Sequence, residues 1–263
     1  MLKRRLIPVL FLKNGWMVRS ESFKLHQFIG SPVVHVERMV QWDVDELIVI
    51  NIGNSDDADF NHNRSDYPGN GITDVLTFVA TIAEECRIPL TFGGGLRNFE
   101  RVREVIRHGA DKVSLNSMLF DNLEGLKKCI STFGSQAVVA SVDYRTIDGE
   151  NFIFSNYGVN KTDFLLDDWV IQLEQIGVGE IFLNAIDRDG KAVGYDILTV
   201  DRVSRLVKIP VIACGGAGHQ RDFLECFEKT EASAVAAGNI FHFTENSYPR
   251  AKKYLKDKLV NVR

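Results

Sequence analysis

Ile88-Pro-Leu-Thr-Phe-Gly-Gly-Gly95 decides the fold, because the chain writes it twice. The second copy, Ile209-Pro-Val-Ile-Ala-Cys-Gly-Gly216, begins 121 residues further on. Each copy is a short apolar strand that runs straight into glycines. Each is followed by a second strand of like form, Asp111-Lys-Val-Ser-Leu-Asn-Ser117 in one half and Ala234-Val-Ala-Ala-Gly-Asn239 in the other. A duplicated strand–glycine unit, about half a chain apart, points to a two-fold parallel α/β architecture with two matching anion sites. It predicts a ligand carrying a phosphate at each end.

Apolar strands are expected at 6–12, 46–52, 90–92, 112–115, 137–142, 180–185, 211–214 and 234–237. Helical patterns lie between them, at 73–86, at 99–108, and at 163–176 with Leu165, Leu166, Trp169 and Leu173 at helical spacing. Eight strands alternating with helices fit a closed (β/α)8 TIM barrel better than an open sheet. The length of 263 residues is normal for one such barrel. No Pro-rich or Ser-rich linker breaks the pattern, so a single domain is expected, with half-barrels of about 1–130 and 131–263.

Composition narrows the partners. Apolar residues make up 45% of the chain, enough for a large core without staples. A net charge of −4 argues against a nucleic-acid or membrane-surface role. Cys86, Cys129, Cys214 and Cys226 are scattered and read as buried thiols in a reducing compartment. No apolar run approaches the ~20 residues that span a bilayer. The basic start, Met1-Leu-Lys-Arg-Arg, leads into a short strand and not into a signal peptide. A cytoplasmic protein is expected. The six histidines lack ligand spacing, so neither a metal nor a cofactor is expected. His242 reads as a packed core or helix-start residue.

Two insertions stand out. Residues 55–71 are polar and rich in turn formers, and follow the second barrel strand. They read as a surface loop or as a lid over the catalytic face. Residues 146–158 read as a small hairpin, with Asp148-Gly149 at its turn and 151–154 as one arm.

The glycines admit backbone N–H groups to an anion without a Cβ in the way. Gly94 and Gly95 are therefore phosphate candidates, with Asn116 and Ser117 adding side-chain donors. Gly215 and Gly216 repeat the arrangement, with Gly238 and Asn239 after the last strand. Asp143, after Val138-Val-Ala-Ser-Val, is a general acid or base candidate at the top of a strand, with a turn cap as its structural alternative. In Asp187-Arg-Asp189-Gly190, Asp189 and Gly190 are ligand candidates, while Asp187 is either a substrate contact or a turn residue. At the opposite rim stand Arg5, Glu46, Lys112 and Glu180. Pointing inward, they would form a ring of two cations and two anions closing the barrel floor. A stabilising belt and a gate over a pore are both open, and the residues alone favour the belt.

The chain resembles the cyclase subunit of imidazole glycerol phosphate synthase over nearly its whole length. The resemblance rests on Pro8, Asp45-Glu-Leu, Gly93-Gly-Gly, Gly109-Ala-Asp-Lys-Val-Ser, Phe133-Gly-Ser-Gln-Ala-Val-Val and Asp168-Trp-Val. It continues through Gly179-Glu-Ile, Asp187-Arg-Asp-Gly, Gly194-Tyr-Asp, Gly215-Gly-Ala-Gly and Phe241-His-Phe. It implies a glutaminase subunit docked on the N-terminal face. Ammonia passes a charged gate, here Arg5, Glu46, Lys112 and Glu180, and travels through the barrel. At the top it meets a bis-phosphorylated ribulosyl substrate, which is cleaved and cyclised. The gate is kept whole, which lifts the pore reading above the belt.

The catalytic end departs from the pattern. Family cyclases pair two aspartates as acid and base. One matches Asp143, but the other falls at Phe11. Asn51 stands where an Asp is usual, and Arg19 where a mobile-loop Lys is usual, both at substrate positions. A branch of the family that replaces the first aspartate with an apolar residue serves surface-polysaccharide pathways. There the barrel supplies ammonia to a separate sugar amidotransferase that makes an acetamidino sugar, and Phe11 fits that branch. An ammonia-conducting subunit of this kind is the leading expectation. The alternative is an active cyclase of histidine biosynthesis that forms imidazole glycerol phosphate and aminoimidazole carboxamide ribotide. A related bis-phosphate sugar isomerase is the third reading, and the gate charges count against it, since an isomerase needs no pore.

Overall fold

The structure is a computed structural model that describes residues 3–53, 72, 74–85 and 88–263. The insertion at 55–71 and Cys86 lie outside the described residues. The strands are β1 (Arg5–Lys13), β2 (Trp16–Glu21), β3 (Leu25–Gly30), β4 (Leu47–Asn51), β5 (Leu90–Gly93) and β6 (Lys112–Leu115). They continue as β7 (Val138–Ile147), β8 (Glu150–Ser155), β9 (Asn160–Leu165), β10 (Glu180–Ala185), β11 (Val211–Cys214) and β12 (Ala234–Ala237). Among them β1, β4, β5, β6, β7, β10, β11 and β12 pair in parallel in that order. β12 pairs back onto β1, so the barrel closes. These are the eight expected strands. Closure leaves no barrel edge unpaired and buries both faces, which is why each strand reads as a continuous apolar run.

The helices are α1 (Pro32–Gln41), α2 (Val75–Glu85), α3 (Phe99–Arg107), α4 (Met118–Asp121), α5 (Leu123–Phe133), α6 (Leu166–Ile176), α7 (Ile197–Leu206), α8 (Gln220–Lys229) and α9 (Ser247–Asp257). Their ends follow local chemistry. Asn98 accepts from the Arg101 N–H at 2.9 Å and starts α3, whose Val102 and Val105 face the strands. His219 accepts from the Arg221 N–H at 3.1 Å, while Asp222 accepts from the His219 N–H at 2.8 Å, so this histidine is a helix cap.

Two apolar layers result. Leu6, Leu10 and Leu12 pack outward against the helices, while Ile7, Val9 and Phe11 point into the lumen with Ile48, Val139, Phe182 and Ile212. The period-2 alternation along β1 therefore settles which side chains the barrel encloses. The duplication is visible as one device used twice. Gly94 (φ +91°) and Gly215 (φ +95°) each end a strand where an added Cβ would strike backbone of the preceding strand's end, at Asn51 and at Ala185. Only glycine fits both demands.

The strands extend further than expected. The chain after β1 folds back as β2, antiparallel to β1, and β3, antiparallel to β2. β8 and β9 repeat this after β7. The expected hairpin at 146–158 is thus the middle of a three-strand unit, with its turn at Asp148-Gly149 as expected. The expected helix start at 163 is corrected to Leu166, because Asp163, Phe164 and Leu165 complete β9. Arg19 sits on β2 and not in a mobile loop.

His242 is half-buried against His35, with ring centroids 5.1 Å apart and both ring nitrogens shielded and without a hydrogen-bond partner. It packs edge-on against His35 and starts no α-helix. Burial, with smaller contributions from His35 and Arg38, pushes its ring down to about 3 from 6.5. The folded value lies below the unfolded one. The associated stability is present above about pH 6.5 and is lost as pH falls toward 3. His242→Phe is expected to relieve about 2 kcal/mol of this loss at about pH 5. Urea unfolding of both proteins at neutral and acid pH checks it, and parallel pH curves would refute it.

Candidate functional site

Two cavities open at the C-terminal ends of the barrel strands. Cavity 1 is lined by Gly94, Gly95, Ser114, Asn116, Ser117, Asp143 and Asn184, among others. Cavity 2 is lined by Arg19, Asp189, Gly190, Gly215, Gly216, Gly238 and Asn239, together with Cys214. Each cavity thus gathers one of the two glycine clusters singled out in the sequence, at corresponding places in the two halves.

Asp143 is buried on β7 and faces Asn184 on β10 in register. Asn184 Nδ2 reaches one carboxylate oxygen at 3.4 Å and Asn116 Nδ2 the other at 3.2 Å. Burial lifts its carboxyl to about 7 from 3.8. The Asn184 hydrogen bond opposes the rise, Asp189 adds to it, and Arg145 subtracts. A group held there exchanges a proton near neutral pH. Among the described residues it is the only carboxylate lining cavity 1. Titration followed by carboxyl ¹³C NMR is expected to place the Asp143 midpoint at about 7. Because this folded value is raised, the group's contribution is fully present below 3.8 and is lost as pH rises toward 7. Asp143→Asn should therefore gain on wild type as pH rises through that window. A midpoint in the ordinary carboxylate range would refute both expectations.

Phe11 faces the lumen at the mouth of both cavities and is 6% exposed. Ser114 Oγ, Asn116 Oδ1 and Asn184 Oδ1, all lining cavity 1, are buried without a hydrogen-bond partner. Such atoms are costly unless something binds them.

Not every expected site residue reaches a cavity. Asn51 is buried with its side-chain oxygen accepting from the Gly53 N–H at 3.1 Å, and it lines neither cavity. Asp187 accepts from the Thr146 N–H at 3.1 Å, stands 3.9 Å from Arg145 and lines neither cavity. Asp189 lines cavity 2 while accepting from Ser20 Oγ at 2.7 Å. Burial raises its carboxyl against the pull of that bond and of the Phe23 N–H. Arg19 lines cavity 2 with its guanidinium 5.7 Å from the Phe243 ring centre.

Other residues of cavity 1 were not foreseen. His26, on β3, lines it and accepts from Lys13 Nζ at 3.1 Å. Burial and the Lys13 charge keep its ring below the usual imidazole value. Nothing local marked it, since β3 lacks a clean alternation. Asn184 did carry a signal, as the one polar residue within the apolar run 181–185.

At the opposite end the four rim charges close into a cycle. Arg5 binds Glu46 at 2.7 Å and also Glu180. Lys112 binds Glu46 at 2.9 Å and Glu180 at 3.1 Å. Thr91 Oγ1 adds a bond to Glu46 at 3.3 Å. Burial alone would raise the Glu46 carboxyl, but Arg5 and Lys112 outweigh it and hold it below the usual value. Among the described residues, no group of three or more His, Cys, Asp or Glu is placed to hold a metal, and no helix is long and apolar enough to cross a membrane.

The family model described as "Histidine biosynthesis protein" matches residues 5–247. The chain belongs to that family. Imidazole glycerol phosphate synthase subunit HisF of Thermotoga sp. (strain RQ2) is 38% identical over 263 residues, covering 100% of this chain and 98% of the relative. The HisF subunit of Hydrogenobaculum sp. (strain Y04AAS1) is 36% identical over 264 residues, with 100% of both chains covered. A putative imidazole glycerol phosphate synthase subunit, hisF2, of Pseudomonas aeruginosa is 37% identical over 244 residues, covering 92% of each. HisF-family membership thus joins the closed barrel, the paired glycine clusters and the ionic ring in one chain.

Proposed function

We propose that this barrel conducts ammonia from a glutaminase subunit, docked on its N-terminal face, to a separate sugar amidotransferase that forms an acetamidino sugar. The observation that carries the reading is Phe11. A phenyl ring occupies the lumen across cavity 1 from Asp143, where a two-carboxylate cyclase needs its second proton carrier. Losing one such group typically lowers a rate by roughly 10²–10⁴-fold. The ionic ring at the floor is intact, and a lumen that only stabilised the fold would not need unpartnered polar atoms above it. Gly94, Gly95, Asn116 and Ser117 form one phosphate site in this reading. Gly190, Gly215, Gly216, Gly238 and Asn239 form the other, so a phosphorylated small molecule remains a ligand.

A working cyclase of histidine biosynthesis is the second reading, favoured by the position of the Asp143 carboxyl near 7. One experiment separates them. The protein is paired with its glutaminase, given glutamine and the bis-phosphorylated ribulosyl substrate, and assayed for aminoimidazole product. Product from wild type at ordinary cyclase rates sinks the conduit reading. Product that requires Phe11→Asp supports it.

A further inference from the structure

Cavities 1 and 2 share a single described residue, Phe11. Its ring lies so close to Gly238 that an added Cβ there would come within 3.1 Å of Phe11 Cε2. Over it the β2–β3 hairpin runs between the cavities, with Ser20 and Phe23 in cavity 1 and Arg19 in cavity 2. The hairpin is fastened to the far side of the mouth. Ser20 Oγ donates to Asp189 Oδ2 at 2.7 Å and the Phe23 N–H to the same oxygen at 3.3 Å. The Ser22 N–H donates to the Asp189 carbonyl at 3.0 Å, and Asn239 Nδ2 to the Ser20 carbonyl at 2.8 Å. Ile50, Ile52 and Phe182 complete the apolar lining on the cavity 1 side.

We infer that Phe11, with the hairpin fastened above it, is a partition that sets ligand length: each compartment takes one phosphorylated end, and a single molecule with phosphates at both ends is kept from bridging the two compartments, so that it binds by one end only. The inference rests on the anion-site reading advanced above and goes beyond the loss of a proton carrier. A polar chain joining two phosphates would have to lie against a ring that offers no hydrogen-bond acceptor, and its hydroxyls would lose water without replacement. The ring also occupies volume that a shorter side chain would leave open.

Calorimetric titration of the full chain with ribose 5-phosphate and with the bis-phosphorylated ribulosyl compound tests it. Wild type is expected to bind the two within about threefold of each other. In Phe11→Ala the bisphosphate is expected to gain tenfold or more over the monophosphate, without cyclised product, because alanine opens the passage but carries no proton. Phe11→Leu, a gentler change that keeps apolar packing, should gain in the same direction and serves if the alanine variant does not fold. A wild-type preference for the bisphosphate of tenfold or more overturns the partition, as does an unchanged ratio in the folded variants. Failure of wild type to bind either probe instead overturns the anion-site reading and the partition with it.

Discussion

Phe11→Asp is expected to raise aminoimidazole formation by roughly 10²–10⁴-fold over wild type in the presence of glutaminase and the bisphosphate, the usual contribution of one positioned acid or base. The expectation follows from alternation. Ile7, Val9 and Phe11 all face the lumen, so an aspartate at 11 points where the ring now points. There it shares cavity 1 with Asp143, whose carboxyl sits near 7. Two carboxylates with separated proton affinities form an acid and base pair. The substitution also removes an apolar wall between the glycine clusters, so binding and turnover should rise together. The rate is read with ammonium salt in place of glutamine as well, which separates chemistry at the mouth from delivery through the barrel. An aspartate variant that folds and binds the bisphosphate yet forms no product would mean that the catalytic end has decayed beyond position 11.

Glu46→Gln is expected to lower stability by about 3–5 kcal/mol, the range for removing one partner of a buried ion pair. Glu46 is 2% exposed and accepts from Arg5, Lys112 and Thr91. Neutralising it leaves two cations facing the single anion Glu180. The pH dependence has a definite sign. The folded carboxyl lies below its ordinary 4.5, so its contribution is present above that value and is lost as pH falls through the lower one. The variant should therefore show a flatter acid limb in urea unfolding than wild type. The same protein distinguishes belt from gate. If the ring controls ammonia, ammonia released into solution per glutamine hydrolysed should rise in the variant's complex with glutaminase. A destabilised variant with unaltered coupling would leave the ring a belt.

Much of this molecule is legible in its amino-acid sequence. The repeated strand–glycine unit needs only local backbone preference, and the eight apolar runs need only burial on two faces. Both are properties of neighbouring residues, so the chain states them directly. Alternation along β1 likewise shows that Arg5 and Phe11 share one face. Asn51 and Asp187 show where this stops. Each sits at the end of a strand near a cavity, but whether such a side chain turns to the ligand or to a nearby N–H depends on loops that arrive from elsewhere. Here each accepts a nearby N–H, that of Gly53 for Asn51 and that of Thr146 for Asp187.

By itself the sequence determined the barrel, its internal repeat, and the exchange of a proton carrier for a ring, because these rest on local pattern and side-chain type. Tertiary structure alone decided that four rim charges meet in one closed cycle. It alone brought His26 beside the first glycine cluster and fastened a hairpin across the mouth through Asp189. Ser20 and Asp189 are far apart in the chain and become partners only when the last strand closes onto the first. No local propensity encodes that distance.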